Sequence, residues 1–276
     1  MLREITVDEL ISLYAKKLWE KGTHKNNAIL YLEEIAGIMT KKFTHIEASD
    51  YDAITQVLIK RGNKNSTANR KIFAFTKLLR QAQDENLIPN VPVFKRLKEN
   101  DTNLRYLSPD EEMSLIMALR ETNIHYSELA IFLVDTGVTL GEAISLRWES
   151  TTNNHVTIQE SSMGLGRTLP LTKRCQTLLH NYDANSKGPF STIVQPKFRL
   201  TWNQAKQNLQ FGEDGWIVPT VLRHTCASRL ILSGLDLRLV QRWLGNRNYK
   251  SMIRYERLCN LKDFELCVTA LMSYNT

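Results

Sequence analysis

The sequence has no apolar run approaching the roughly 18 residues that a membrane span requires. Its opening, MLREITVDELISLY, carries acids where a signal peptide has an unbroken apolar stretch. An intracellular, cytoplasmic protein is therefore expected. None of the four cysteines, Cys175, Cys226, Cys259 and Cys267, sits in a CxxC pair or in Cys/His zinc spacing. They read as ordinary thiols in a reducing compartment, with no metal role. There is no internal repeat and no low-complexity tract, which argues against a solenoid or a disordered chain.

The 276 residues are 42% hydrophobic and 24% charged, as in a globular protein of one large or two ordinary domains. The net charge of +7 is unevenly placed. Between Gln195 and Arg254 there are ten Lys/Arg and three Asp/Glu, so those sixty residues carry the whole excess. A localised basic surface is the electrostatic footprint of a nucleic-acid partner. A solvated basic face without a partner is the plainer alternative.

The fold expected is mainly α. Thr6 and Glu9 form a capping-box pattern before a helix through Leu10, Leu13, Tyr14 and Leu18. A second helix is predicted over Asn26–Met39. A third is capped by Ser49 or Asp50 and ends at Gly62, and a fourth is capped by Ser66 and ends before Pro89. These make a four-helix domain over residues 1–100. The segment from Pro89 to Arg105 reads as a linker. A second domain, of α+β type, follows over 105–276. It begins at Ser108-Pro109-Asp110-Glu111, with N-cap, Pro and N3 acid in place. Helices are predicted to about Leu119, from Tyr126 to Val134 and from Leu140 to Trp148. A small β-hairpin is predicted from His155–Ile158 and Thr168–Leu171, then helices at Lys173–Asn181 and Leu200–Leu209.

The segment LRHTCASRLILSGLDLRLVQRWLGNRNYKSMIRYERL, Leu222 to Leu258, is the most informative. It opens with Arg223 and His224 and closes with Tyr255 among Arg247, Lys250 and Arg254. It resembles the C-terminal signature of the tyrosine recombinases, the phage integrase family, which reads LRHT, then LGH, then a nucleophilic Tyr. THKNNAILYLEEIAGIM, NSTANRKIFAFTKLLRQAQDENLIPNVP, RYLSPDEEMSLIMAL and ELAIFLVDTGVTLGEAISLRW resemble further family blocks in the same order.

The resemblance implies a DNA-binding site-specific recombinase or integrase of the two-domain, Xer-like form. Its N-terminal core-binding (SAM-like) helices and its catalytic-type domain would clamp the duplex from two sides, without the extra arm-site domain of some phage integrases. It implies double-stranded DNA as partner and a homo-tetramer on DNA, or a mixed assembly with an active recombinase. If phage- or element-encoded, the protein would work at the host nucleoid. No metal or cofactor is implied, because the 3′-phosphotyrosyl link conserves the phosphodiester bond energy.

The family chemistry needs arginine forks on the phosphate, a nucleophilic tyrosine, and groups that move protons. By resemblance, Arg223 is a phosphate-binding arginine and Tyr255 the nucleophile, with Tyr249 a weaker competitor. His224 is read as a structural neighbour that hydrogen-bonds within the fold. The other expected groups are replaced. Thr139 stands at the first arginine of the Thr136–Glu142 block, and Ser162 near the hairpin lysine. Thr220 stands at the first histidine, and Asn246 at the final histidine or tryptophan. Glu142 keeps the accessory carboxylate position, or is a surface helix residue. Arg147, Arg167, Lys173 and Arg247 are the nearby cations able in principle to substitute. Three functions remain open: a recombinase with an unusual site, an inactive architectural or regulatory DNA-binding relative, and a helical protein-interaction module. After Tyr255, the apolar positions Leu258, Leu261, Phe264, Val268 and Leu271/Met272 predict an amphipathic helix that docks on a neighbour or on its own domain.

Overall fold

The computed structural model describes residues 4–19, 23–99, 104–161, 164–180, 182, 185–209, 211–258 and 271–272. The chain divides into two compact units, Met1–Asn100 and Asp101–Thr276. No helix among the described residues is long and apolar enough to cross a membrane.

The first unit has four helices, α1 (Val7–Leu18), α2 (Thr23–Ala36), α3 (Ala48–Lys60) and α4 (Asn65–Asp84). Thr6 caps α1 through the predicted reciprocal bonds with Glu9. Two other expected caps are displaced. The N-cap of α3 is Glu47, whose N–H donates to Asp50, and Ser49 lies inside the helix. The N-cap of α4 is Lys64, and Ser66 falls in the first turn. In both cases the helix starts earlier than the polar residue that resembles a cap. Helix α2 ends at Ala36, short of Met39, with Gly37 next in the chain. The apolar stripes of these helices meet in one core, with Leu10, Leu32, Ile54, Leu58, Phe75 and Leu78 fully buried. Lys71 is buried among them and donates to Glu34 and Asn63, which is how a buried cation stays tolerable.

The second unit comprises α5 (Pro109–Thr122), α6 (Ile124–Thr136), α7 (Leu140–Ser145), β1 (His155–Ile158), β2 (Arg167–Pro170), α8 (Lys173–His180), α9 (Gln195–Asn208), α10 (Thr220–Leu232) and α11 (Leu237–Leu244). Ser108 and Glu111 cap α5 as predicted. The two strands pair antiparallel with His155 opposite Pro170 and Ile158 opposite Arg167, so β2 lies one residue earlier than expected. Helix α7 stops at Ser145 and not at Trp148, which instead opens a short 3-10 turn to Ser150. Tyr255 lies on a 3-10 stretch, Tyr249–Leu258. The predicted C-terminal helix falls outside the described residues except for Leu271 and Met272, which are helical and exposed.

Helix α6 is apolar on nearly every side and is buried through Leu129, Ala130, Phe132, Leu133 and Val134, as expected of a central helix. It ends at Gly137 in the left-handed conformation, φ 66°. Two residues later Thr139 caps α7. This tight succession brings the end of one helix and the start of the next to one point. A Cβ at Gly137 would lie 2.8 Å from Leu244 Cδ2 and 3.0 Å from Cys226 Sγ.

Gly137→Ala should therefore lose about 1–3 kcal/mol through left-handed strain and crowding, read as a lower urea midpoint. Gly141→Ala should move the other way by about 0.5–1 kcal/mol, because Gly141 is helical and a Cβ there meets nothing within 4 Å.

Candidate active site

Arg223 projects from the first turn of α10 into the junction of α6, α7 and α11. Its Nη1 donates to the Gly137 carbonyl at 2.6 Å. Its Nη2 donates to the Leu244 carbonyl and to Asn246 Oδ1, both at 2.9 Å. Glu142 Oε2 stands 4.0 Å from Nη1. Burial pushes the guanidinium's pKa down, opposed by Glu142 and reinforced by the like charge of Arg167.

Glu142 is the anion that makes this cluster possible. Its oxygens accept from Arg167 Nη1 at 2.8 Å and Nη2 at 3.1 Å, a two-pronged guanidinium–carboxylate pair. Oε2 also accepts from the Thr139 N–H at 2.7 Å, and the Thr139 hydroxyl accepts from the Glu142 N–H at 3.2 Å. Burial pushes the Glu142 carboxyl up. Arg167, the Thr139 N–H and Arg223 outweigh it, and the net pKa lies below the usual range. The surface-residue alternative for Glu142 is thus corrected, since its side chain is 17% exposed between two arginines. Arg167 is pinned further by Nε donating to the Trp243 carbonyl at 2.8 Å. Gly245, φ 71°, lets the backbone pass: a Cβ there would meet Arg167 Nη1 at 2.5 Å.

Tyr255 is 3% exposed. His224 Nδ1 lies 2.6 Å from its hydroxyl. Burial pushes the Tyr255 hydroxyl up to about 12, against the lowering pull of Arg223 and Arg254. Burial, then Arg254 and Arg223, push His224 down to about 4. At neutral pH both groups are uncharged, and they share this short hydrogen bond. Tyr249, the competing tyrosine, lies under the guanidinium of Arg238, 4.4 Å from ring centre to Cζ.

The structure brings Arg223, Glu142, Thr139 and Asn246 to one place, and pairs His224 with Tyr255 beside it. Asn246 accepts from Arg223 and its Nδ2 faces Met252 Sδ at 3.3 Å. Thr220 is the exposed first residue of α10. Ser162 lies outside the described residues. Two features escaped sequence reasoning: the Gly137 and Leu244 carbonyls that fix Arg223, and the partnership of Arg167 with Glu142. The glycines at 137 and 245 were the available signal, since each permits the close backbone approach.

A cavity of about 380 Å³ opens against Arg223, Thr139 and Glu142. Neither His224 nor Tyr255 is among its lining residues. Cys175 and Cys226 are buried thiols, each pushed up to about 12 first of all by burial. Cys259 and Cys267 lie outside the described residues. Among the described residues no group of three or more His, Cys, Asp or Glu is placed to hold a metal ion.

The model of the phage integrase family matches residues 105–260, a span that includes every element of this site. The chain belongs to the phage integrase family. Tyrosine recombinase XerC of Pediococcus pentosaceus is 24% identical over 294 residues, covering 92% of this chain and 95% of that protein. The shufflon-specific DNA recombinase of Escherichia coli is 27% identical over 171 residues, covering 61% of this chain but only 44% of that protein. Among solved structures, a lambda integrase dimer bound to a COC′ core site superposes with a TM-score of 0.73 at 15% identity. It covers 92% of this chain and 77% of that one. The Tn1549 transposon integrase in complex with transposon right end DNA gives 0.71 at 13% identity, over 97% and 100%. At these identities the structural likeness bears on fold alone.

The lowered pKa of His224 has a consequence for this integrase-family chain. The unfolded state binds the proton more readily, so stability from this group is complete above about pH 6.5. It declines as pH falls towards 4, by up to about 3 kcal/mol. Chemical denaturation at pH 7.5 and pH 4.5 should show a smaller acid loss in His224→Asn than in the wild type. An equal loss in both would refute neutral burial of this ring.

Proposed function

We propose that this protein is a DNA-binding site-specific recombinase or integrase that works through a 3′-phosphotyrosyl intermediate, at a much reduced cleavage rate. The observation that carries this reading is the retained pair. Arg223 is fixed by two carbonyls and Asn246, and Tyr255 stands in family register on the adjoining turn. In this reading residues 1–100 are the core-binding domain and 105–276 the catalytic-type domain. Double-stranded DNA is the partner, and a tetramer on DNA or a mixed assembly with an active recombinase is the working form. Solved relatives include a lambda integrase tetramer bound to a Holliday junction. The site of action is the cytoplasm or host nucleoid.

The chemistry assigned is transesterification. The Tyr255 oxygen attacks a backbone phosphorus and loses its proton. The bond to the 5′ oxygen breaks, and that oxygen takes up a proton. Attack by a 5′ hydroxyl reverses the step. Arg223 binds the non-bridging oxygens, whose charge grows in the transition state. Thr139 offers no second fork. Loss of one such contact is worth about 3–4 kcal/mol, or several hundredfold in rate. Thr220 and Asn246 add no acid or base. The four losses are not summed, because groups acting as a unit are not additive.

The second reading is an inactive architectural or regulatory relative. It is favoured by the burial of Tyr255 and the raised pKa of its hydroxyl, both unsuited to a ready nucleophile. A nicked suicide substrate separates the two. Slow accumulation of a covalent protein–DNA adduct is expected, absent in Tyr255→Phe and at least about tenfold faster in Thr139→Arg. No adduct from either the wild type or Thr139→Arg selects the inactive reading. A helical module without a DNA role is eliminated if gel-shift affinity falls steeply with salt.

A further inference from the structure

Four cations were candidates to replace the missing charge at Thr139, and their geometry separates them. Arg167 has both terminal nitrogens on Glu142 and Nε on the Trp243 carbonyl, with its side chain 7% exposed. Arg247 Nη2 is held by Glu160 Oε1 at 2.6 Å and the Ser161 carbonyl at 2.8 Å. Lys173 is the exposed first residue of α8 and does not line the cavity beside Arg223. Arg147 differs from all three. It follows α7 in extended conformation and is exposed, and it lines the same cavity as Arg223. Its side chain has no hydrogen-bond or ion-pair partner among the described residues.

The composition of the cavity suits an anion. Its two acids are already matched, Glu142 by Arg167 and Glu160 by Arg247. Arg167 and Arg223 share the single carboxylate of Glu142, so the cluster keeps one net positive charge, and Arg147 adds a second; Thr139, Ser145 and Ser161 also line the cavity. Threonine at 139 leaves room where an arginine would extend. The volume, about 380 Å³, accommodates a phosphodiester with its hydration. Guanidinium is the side chain best matched to phosphate oxygens.

We propose that Arg147 is a phosphate-binding residue that grips, together with Arg223, one phosphodiester of the DNA backbone in this cavity, supplying the charge that Thr139 lacks. The inference rests on the DNA-binding reading and deepens it. Arg223 holds the phosphate from the α10 side and is rigid. Arg147 closes on it from the end of α7 and is free to move in from solvent.

The test measures duplex DNA affinity of the full chain at fixed salt by fluorescence anisotropy. Arg147→Ala should bind about tenfold or more weakly, with an unchanged thermal midpoint because the side chain is exposed. Adding Thr139→Arg to Arg147→Ala should restore most of the affinity. The same addition should do nothing for Lys173→Ala. Wild-type affinity in Arg147→Ala overturns the proposal. So does a loss that Thr139→Arg leaves unrepaired, which would make Arg147 an ordinary surface contact to a different phosphate. Wild-type protein that binds no duplex at all is a separate outcome: it removes the DNA-binding reading, and this inference with it.

Discussion

The site depends on one carboxylate. Glu142 faces two guanidiniums, Arg167 in direct two-pronged contact and Arg223 at the edge of ion-pair distance. Two buried arginines this close repel, and removal of their common anion would leave charge uncompensated in a poorly solvated place. The same residue completes the cap of α7 through Thr139. One side chain thus fixes the start of a helix, the start of a strand and the first turn of α10. The carbonyls of Gly137 and Leu244 then set the plane of Arg223. Each acceptor comes from a helix terminus whose glycine turns the chain sharply: Gly137 is itself the acceptor, and Gly245 follows Leu244.

Against this tightly held arginine, the tyrosine is arranged differently. Tyr255 belongs to a separate small core with Ala227, Ile231, Val240, Leu244 and Met252. Its hydroxyl is satisfied by His224, the residue next to Arg223 in the chain. Successive residues on a helix point about 100° apart, so Arg223 faces the cavity and His224 faces the tyrosine. The dipeptide joins the cavity at Arg223 to the pocket of Tyr255 without placing both in one space.

The parts of the fold legible in the sequence were those set by local chemistry. The capping boxes at Thr6 and Ser108 have both members within three residues, and both form. The hairpin and the order of helices up to α9 followed from periodicity and turn residues. The caps at Ser49 and Ser66 were misread because a polar residue inside the first turn resembles one just before it. Position 139 was legible as an uncharged residue. The partners of the surrounding cations were not. Arg167 meets Glu142 across 25 residues and Arg247 meets Glu160 across 87, and no local pattern encodes such pairings. The phosphate role proposed for Arg223 came from its motif. The carbonyl cradle that orients the side chain did not, because backbone acceptors leave no trace in side-chain identity.

The cradle around Arg223 has a thermodynamic meaning of its own. A free arginine gives up rotamer freedom worth about 1.5–2 kcal/mol when it settles on a ligand. Arg223 has already given it up in folding, to Gly137, Leu244 and Asn246. An arriving anion therefore meets a donor with one orientation and little left to lose. In the proposed reading, recognition at this point becomes a matter of where a phosphate can be brought.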